Sequence, residues 1–508
     1  MDLARQCAMR CLPIRTVTRA GALSAALLRI VASRLPVEDA GRVTGLSPRW
    51  RRAWRSAPLV LDDTHLAIAG VRETNPAVDH LLTAHPGPFR SVRLTFCFFE
   101  RLDSDIFGRL DSESELDSES FGRVDSESEL ARWPRLLADK GVQELFLFSP
   151  PPPLHMPLPA DILRCTKLRR LYLGFWEFPD TRCLPDGVGV FPHLREFVLL
   201  NTRIEDRDLD HMLASSPALE TLAIVLSCGP PQHVRLRGQK LRCVLFWLSM
   251  ADELAAVDTP RLERLLMWLT TTSCGIGDSD SDSDDEPPMR VRIACAPKLM
   301  VLGYLDTRIH QLEIGNTIIK ADTEVSPSFM VPSVKILALR VDFRIFSEVQ
   351  MLSSFLRCFP NVETLHVEFA MTDRPTGKHY GEFLSKLSPI ECLQSQTKNV
   401  VLHEFRGDLS EVVFLQHLMQ RVNQLQKLII VLSKDILLSV DDMKIVLKAL
   451  TSLPWASKSC TVQLVGPKHA WNFQRASDLS TDDPFDSEHG QEFFCFIKEG
   501  GQTVWKHT

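Results

Sequence analysis

The chain has 508 residues, of which 44% are hydrophobic and 24% are charged, and its formal net charge is −6. These are ordinary values for a globular protein, and a mildly acidic chain has no overall attraction to nucleic acid. No stretch of the sequence approaches the roughly eighteen apolar residues that a membrane span needs. The thirteen cysteines are an odd number without CxxC pairs, so they favour reduced thiols and a place in the cytoplasm or nucleus. We therefore expect neither a nucleic-acid nor a membrane partner.

The N-terminal segment is rich in arginine. Residues 1–36 hold six arginines against one acid, Asp2, a balance typical of organelle transit peptides. From Leu23 onward, however, the apolar residues follow the spacing of a folded helix. Import into an organelle is thus a minor alternative, which N-terminal cleavage would reveal.

Residues 20–63 predict a small module of three short helices. Apolar residues at the spacing of one helical face define the first helix, and they are Leu23, Leu27, Ile30, Val31 and Leu35. Pro36 cannot continue that helix, because its ring removes a donor and clashes with the preceding turn. A second, shorter apolar face follows at Ala40, Val43 and Leu46. Such a module buries little area by itself, so we expect it to lean on a partner.

The third helix of this module carries two tryptophans. Ser47 and Pro48 are a typical N-cap and first helical residue, and Trp50 and Trp54 follow on one side of the helix. Arginines surround the tryptophans between Arg49 and Arg55. They could touch nucleic acid, but they lack the extended basic face that such binding usually needs.

With Leu35-Pro36, Leu46-Ser47-Pro48-Arg49-Trp50 and Trp54 in this order, the module resembles the plant form of the F-box. The resemblance implies binding to a Skp-type adaptor and, through it, to a cullin of a ubiquitin ligase. The residues that it assigns to the adaptor contact are Leu27, Leu28, Ile30, Leu35, Pro36, Leu46, Trp50 and Trp54. Such families usually open with Leu-Pro-Asp, whereas this chain reads Leu23-Ser24-Ala25.

Residues 64–141 predict a linker with the first strands, one of them at Ser91–Phe99. This region contains a duplication, because Phe107–Leu116 reads FGRLDSESEL and Phe121–Leu130 reads FGRVDSESEL. Acidic, serine-rich segments bury too little apolar area to offset the entropy of ordering, so we predict a disordered insert. Phosphorylation of its serines is an alternative role.

Residues 142–389 follow a repeated pattern of apolar, two variable, apolar, one variable and apolar residues. These hexamers begin at Val142, Leu168, Leu194, Leu219, Leu241, Leu262, Leu299, Val334, Val362 and, beyond that range, Leu425. The first six are 26, 26, 25, 22 and 21 residues apart, within the range of leucine-rich repeats. The pattern predicts one short strand per repeat and a shared core that no repeat can build alone.

Between the hexamers, helical spacing predicts return segments at Pro159–Arg164, Asp208–Ser215 and Ser353–Phe359. The resemblance to leucine-rich repeats departs at the position that usually holds Asn or Cys. Here it holds Pro150, Trp176, Thr202, Ser227, Ser249 and Thr270. We therefore expect an irregular solenoid with less regular turns. Pro150–Pro153 predicts an extended polyproline elbow, and the acidic tract at 271–288 predicts a disordered loop.

Residues 390–508 predict a C-terminal α/β module. Val400–Phe405 is rich in strand formers, Arg406-Gly407-Asp408 is a turn, and Leu409–Val422 has helical spacing. With Cys392-Leu393 ahead of them, these features resemble the FBD domain, which often follows an F-box and leucine-rich repeats in plants. The predicted fold class is thus α/β, with a helical module, a solenoid and an FBD-like module in that order.

No catalytic, metal or cofactor motif is found in the sequence, so we predict neither catalysis nor a cofactor. The resemblances imply the substrate-receptor subunit of a Skp–cullin–F-box ligase. In that role the concave repeat surface and the C-terminal module would hold an unknown target protein near the ubiquitin-transfer machinery. The alternative is a repeat scaffold whose degenerate F-box is not coupled to a ligase.

Overall fold

The computed structural model describes residues 23–35, 37–45, 47–68, 74–95, 127–149, 155–183, 190–270, 287–321, 323–371, 389–433, 450, 455–466, 473–486, 492–499 and 502–505. The chain forms two compact units. Unit 1 comprises residues 1–179 with 190–194, and unit 2 comprises residues 180–189 with 195–508. In the part of the chain that the structure describes, no helix has the length and apolar content that crossing a bilayer requires.

Unit 1 begins with the predicted helices. Its helices are α1 Ala25–Ala32, α2 Val37–Arg42, α3 Pro48–Ser56, α4 Asp63–Ile68, α5 Thr74–Ala84 and α6 Glu127–Asp139, with 3-10 turns at Val43–Gly45 and Ala160–Arg164. The side chain of Ser24 caps α1 and that of Ser47 caps α3, with Pro48 at the first helical position as predicted. Helices α4 and α5 were not predicted, because residues 64–84 have no continuous apolar face.

A parallel sheet follows in unit 1. Its strands are β1 Leu59–Asp62, β2 Phe89–Leu94, β3 Glu144–Phe148 and β5 Arg170–Gly174, and a separate two-residue pair joins β4 Met156–Pro157 to β6 Trp176–Glu177. The strand predicted at Ser91–Phe99 is thus present from Phe89 to Leu94, and residues 96–99 lie outside the described part. Most of the acidic duplication also lies outside it, but α6 begins at Glu127, inside the segment predicted to be disordered.

The main sheet of unit 2 contains ten parallel strands among the described residues, followed by two antiparallel ones. The parallel strands are, in order across the sheet, β7 Glu196–Leu200, β8 Thr221–Val225, β10 Cys243–Trp247, β12 Arg264–Trp268, β14 Val301–Asp306, β17 Ile336–Val341, β18 Thr364–Phe369, β19 Asn399–Phe405, β20 Lys427–Leu432 and β21 Ser459–Val465. Antiparallel β22 Glu492–Glu499 and β23 Gln502–Trp505 complete the sheet. The C-terminal module was predicted to begin at residue 390. The sheet is not interrupted there, because β19 and β20 continue the parallel pairing.

All ten hexamers form strands, as predicted. The first apolar residue of every hexamer is buried, and the strand begins two residues after it. The second apolar position is buried as well, for example at Leu171, Leu222, Leu265 and Leu365. Because parallel pairing sets equivalent positions side by side, these leucines form one continuous interior layer within each unit.

The return segments are helices in some repeats of unit 2 and strands in others. The helices are α7 Asp206–Ala214, α8 Phe346–Cys358, α9 Glu391–Ser395 and α10 Leu409–Arg421, with 3-10 turns at Thr181–Cys183 and Pro327–Phe329. A further helix, α11 Phe473–Ser477, lies between β21 and β22 and is not a return segment. A second sheet, not predicted, consists of β9 His233–Arg237, β11 Glu253–Asp258, β13 Met289–Ile293, β15 His310–Ile314 and β16 Thr317–Ile319. The return strands β9 and β11 lie in repeats of 22 and 21 residues, which are too short for a helical return, since a strand spans more distance per residue than a helix.

The turns after strands β7, β8, β10 and β12 are more regular than expected. A residue with positive φ directly follows each of these strands. The four residues are Asn201, Leu226, Leu248 and Leu269, at φ 41–56°. The next residue is a buried Thr202, Ser227, Ser249 or Thr270, which we name the hydroxyl ladder. The expectation of less regular turns is therefore wrong here, because short hydroxyl side chains replace the usual amide.

Hydrogen bonds explain why a hydroxyl suffices at these turns. The Ser249 Oγ lies 2.8 Å from the Trp247 carbonyl oxygen and accepts from the Ser227 amide at 3.1 Å. The Thr202 hydroxyl donates to the Leu200 carbonyl oxygen at 3.1 Å. Thr202 and Ser249 thus each satisfy a carbonyl two residues earlier, and Ser249 also links one turn to its neighbour.

Two buried glutamates hold the turns that precede helices α8 and α10. Each occupies the third helical position, in the sequences Phe346-Ser347-Glu348 and Leu409-Ser410-Glu411. The Glu348 carboxyl accepts from the Asp342 amide at 2.8 Å and the Thr307 hydroxyl at 3.0 Å. Burial raises the pKa of both carboxyls to about 7, against the hydrogen bonds that favour the charged form.

This pKa predicts a loss of stability as pH rises. A carboxyl whose folded pKa is raised stabilises the fold fully below its unfolded pKa of 4.5, and that stability disappears as pH passes about 7. Urea unfolding at pH 5 to 8 should show a decline of up to about 3 kcal/mol from Glu348. The Glu348→Gln variant, which cannot ionise, should show a shallower decline.

The matched control is Glu391→Gln, because Glu391 is exposed at the start of α9. It should keep the pH dependence of the wild-type chain. Equal slopes for Glu348→Gln and the wild type would show that the raised pKa does not govern stability.

Candidate partner-binding surfaces

Helix α1 exposes an apolar stripe. Leu27, Ile30 and Val31 are 48%, 52% and 38% exposed, and their i, i+3, i+4 spacing puts them on one side of the helix. We name these three residues the apolar stripe. Scattered apolar residues are common on protein surfaces, but three adjacent ones on a short helix form a patch that favours docking.

The interior of the helical module uses the other side of α1. Leu28 is 1% exposed and Ala32 is fully buried, and α1 packs against α3, where Trp50 is 7% exposed. Leu28 and Trp50, which the resemblance assigned to the adaptor contact, are therefore interior residues of the helical module in the described structure. Both side chains hold the module together, since an isolated module of this size needs its few large apolar groups inside.

Trp54, on helix α3, packs against His85, the residue that follows α5. Its ring meets the His85 ring edge-on with centroids 4.7 Å apart, and His85 in turn contacts Phe89 at 5.3 Å. Burial lowers the pKa of His85, which favours the neutral imidazole in this apolar setting. Trp54 thus does not project together with Trp50, as the sequence suggested, but joins the helical module to the first strands.

The other predicted contact residues lie around the end of α1. Leu35 is half-buried and comes after the helix, which ends at Ala32 with Ser33 as C-cap, so it does not close the apolar face of α1. Pro36 and Leu46 lie outside the described residues. The exposed side of α3 is basic, with exposed side chains at Arg49, Arg51, Arg52 and Arg55. The surface left for a partner therefore combines the apolar stripe with these arginines.

The parallel sheet of unit 2 offers a second surface, opposite its interior leucines. We name this side the polar face, because it carries Arg264, Arg340, His366 and His403 at positions that alternate with the buried leucines. Sequence reasoning missed this face. A signal was available, since His366 stands between the apolar positions Leu365 and Val367 of a hexamer and must therefore point to the other side of the sheet.

Tyr304 joins the polar face through a bulge. The pairing of β14 with β17 shifts register between Leu302 and Leu305, and Gly303 has φ 143° within that shift. A Cβ at Gly303 would lie 2.4 Å from the carbonyl oxygen of Ala338, so no other residue fits there. The shift places the Tyr304 ring near His403, with centroids 6.4 Å apart.

An ion-pair group occupies one part of the polar face. The Arg340 Nη1 donates to the Asp306 carboxylate at 3.1 Å, and the Arg340 Nε lies 3.1 Å from the Glu368 carboxylate in an ion pair. Burial raises the pKa of Glu368, although the charge of Arg340 opposes that effect. These charges compensate one another and orient the strands. Among the described residues, no group of three or more His, Cys, Asp or Glu side chains is placed to hold a metal ion.

Part of the polar face is covered by the chain itself. Residues 473–486, which we name the strap, lie over strands β10, β12, β14 and β18 and contact Cys243, Arg264, Tyr304 and His366. The sequence analysis predicted that a concave repeat surface would hold a target protein. In the structure the strap covers the polar face over strands β10, β12, β14 and β18.

Comparison with known families assigns the repeats. Residues 130–367 match the family profile described as FBD-associated F-box protein, LRR repeats, and residues 385–430 match the FBD. The chain carries the leucine-rich repeats of FBD-associated F-box proteins and an FBD. The FBD range includes the predicted strand β19 and helix α10, and the repeat range begins at 130, inside α6. These two ranges do not include the helical module at 23–62.

A curated plant protein is similar to this chain over most of its length. F-box/LRR-repeat protein 13 of Arabidopsis thaliana is 24% identical over 468 residues, which cover 86% of this chain and 94% of that protein. The name of that protein combines an F-box with leucine-rich repeats, two of the features predicted from the sequence.

Trp50 is buried and Ile30 is exposed, so replacing them should lower the stability of the helical module by different amounts. Trp50→Ala should destabilise the module by about 3–5 kcal/mol, because it removes a large buried ring. Ile30→Ala on the exposed stripe should change its stability by less than about 0.5 kcal/mol. Amide hydrogen exchange in α1 and α3 measures both, and equal protection in the two variants would contradict the assigned burial.

Proposed function

We propose that this protein is a substrate-receptor subunit of a Skp–cullin–F-box ubiquitin ligase. The observation that carries the proposal is the apolar stripe of Leu27, Ile30 and Val31, exposed on a module that resembles an F-box. The family matches support it, since they place the repeats and FBD of F-box proteins behind this module. A Skp-type adaptor would cover the stripe and connect the chain to a cullin.

The physical case for adaptor docking is the unburied apolar area of α1. Each stripe residue keeps a third to a half of its surface in water, and burying such area stabilises a complex by about 25 cal/mol per Å² before the cost of association. A helix that presents i, i+3 and i+4 anchors suits a groove between partner helices. The arginines of α3 would add electrostatic attraction to an acidic partner surface.

The chain's part in the reaction would be recognition, without catalysis. Neither family match names an enzyme, and the repeats provide a long surface for a protein target. Binding adaptor and target on one chain raises the effective concentration of the target at the ubiquitin-transfer machinery. We place this activity in the cytoplasm or nucleus, where reduced cysteines are stable.

Replacing the stripe should abolish adaptor binding without unfolding the chain. A variant with Leu27→Ser, Ile30→Ser and Val31→Ser should bind a purified Skp-type adaptor at least about tenfold more weakly, because the complex would lose its apolar anchors. Calorimetric titration of the full chain with the adaptor measures the effect. Leu409→Ser is the matched control, since Leu409 is an exposed leucine on a helix of the FBD region, and it should bind like the wild type.

The alternative is a scaffold that is not coupled to a ligase. It would stand if the wild-type chain failed to bind the adaptor, and if a chain with Ser24→Pro and Ala25→Asp, which restores the usual Leu-Pro-Asp opening, failed as well. Ser24 already caps α1 by accepting from the Leu27 amide at 3.2 Å, so the helix can form without that opening. We therefore expect the wild-type chain to bind.

A further inference from the structure

The strap is attached to the polar face mainly by side chains of the sheet. Outside helix α11, its own backbone hydrogen bonds are local turns, from the Asp478 amide to the Arg475 carbonyl at 3.3 Å and from the Thr481 amide to the Asp478 carbonyl at 3.2 Å. The contacts between strap and sheet come from side chains on β10, β12, β14 and β18. The strap is thus bound in the way a peptide ligand is bound, by groups that project from a preformed surface.

Arg264 recognises the main chain of the strap. Its guanidinium is buried and donates to the carbonyl oxygens of Ala476 at 3.2 Å, Asp478 at 3.0 Å and Thr481. The nearby Cys243 thiol, also buried, lies 3.8 Å from the Ala476 carbonyl oxygen. Carbonyl oxygens are present in every peptide, so these contacts set the path of a bound segment and leave its sequence free.

His366 recognises one side chain of the strap. This fully buried imidazole lies 2.9 Å through Nε2 from the Asp483 carboxylate and 3.1 Å through Nδ1 from His403. Burial by itself would raise the pKa of Asp483, but the charge and hydrogen bond of His366 lower it overall. The site therefore favours an ionised carboxylate at this point.

An aromatic site lies two residues further along the strap. The Phe485 ring is buried and meets Tyr304 edge-on with centroids 5.1 Å apart, and it lies 5.4 Å from His366. Pro484, between the two anchors, is buried as well and fixes the backbone. A carboxylate and an aromatic ring two residues apart are thus the features that the face selects.

We propose that the polar face is a peptide-binding surface for segments that carry Asp-x-Phe chemistry, and that the strap is its resident occupant. A target protein with an acidic residue and an aromatic residue in this spacing would take the place of residues 473–486. The strap lies outside both matched ranges of the chain, so neither the repeats nor the FBD account for it. The inference does not depend on adaptor binding.

The experiment offers the strap sequence to the full chain as a separate molecule. The probe is a fluorescent peptide with the sequence of residues 473–486, FQRASDLSTDDPFD. The wild-type chain should bind it weakly, because its own strap competes at high effective concentration. A chain with Asp483→Asn and Phe485→Ala should bind at least tenfold more tightly, since its strap has lost both side-chain anchors.

Two controls assign the binding to those anchors. A chain with Asp482→Asn, which removes the same charge from the exposed neighbouring residue, should bind the peptide as weakly as the wild type. A peptide that carries Asp483→Asn and Phe485→Ala should not bind the released chain. If the released chain keeps its circular dichroism and still fails to bind the unchanged peptide, the proposal is overturned.

Hydrogen exchange on the wild-type chain tests the same idea without any substitution, in case the double variant does not fold. Amides of residues 473–486 should exchange at least tenfold faster than those of strand β12 beneath them, because a resident occupant detaches while the sheet stays intact. Exchange of the strap as slow as that of β12 would show a fixed structural element and overturn the proposal.

Discussion

Burial of the second apolar position in each hexamer is the constraint on which both units depend. A strand of five or six residues cannot shield Leu222 or Leu265 from water, and only the strands on either side complete that shield. Parallel pairing follows, because each return segment brings the chain back to the same end of the sheet. The stability of any repeat is therefore shared with its neighbours, and the FBD strands β19 and β20 continue the same arrangement.

The sequence predicted the strands better than the segments between them. Hexamers combine strong apolar spacing with a fixed length, so all ten strands were found from their first residues. The second sheet of unit 2 was missed, because strands such as His233–Arg237 and Met289–Ile293 carry arginines on one side and only two or three apolar residues on the other. Their identity is decided by pairing with neighbouring strands, which is not visible in a local pattern.

Candidate binding residues were harder to predict than the fold. Apolar spacing correctly found one side of α1, but the side with more apolar residues is exposed and the side with Leu28 and Ala32 is buried. A sequence pattern cannot tell an interior face from a docking face when both are apolar. The strap contacts were out of reach for another reason, since Arg264 and Thr481 are 217 residues apart and no periodicity connects them.

The hydroxyl ladder also bears on how such a chain can grow in evolution. Thr270 ends one turn with a buried hydrogen bond to His310, and the acidic tract at 271–288 begins at the very next residue. Ser149, another buried hydroxyl residue after a strand, is followed in the same way by the four prolines. A single residue inserted into the strand before the hydroxyl would shift the register by one position and turn the leucines out of the interior. Residues added just after it leave the register of the sheet untouched, so this point in each repeat is where new sequence can enter a solenoid.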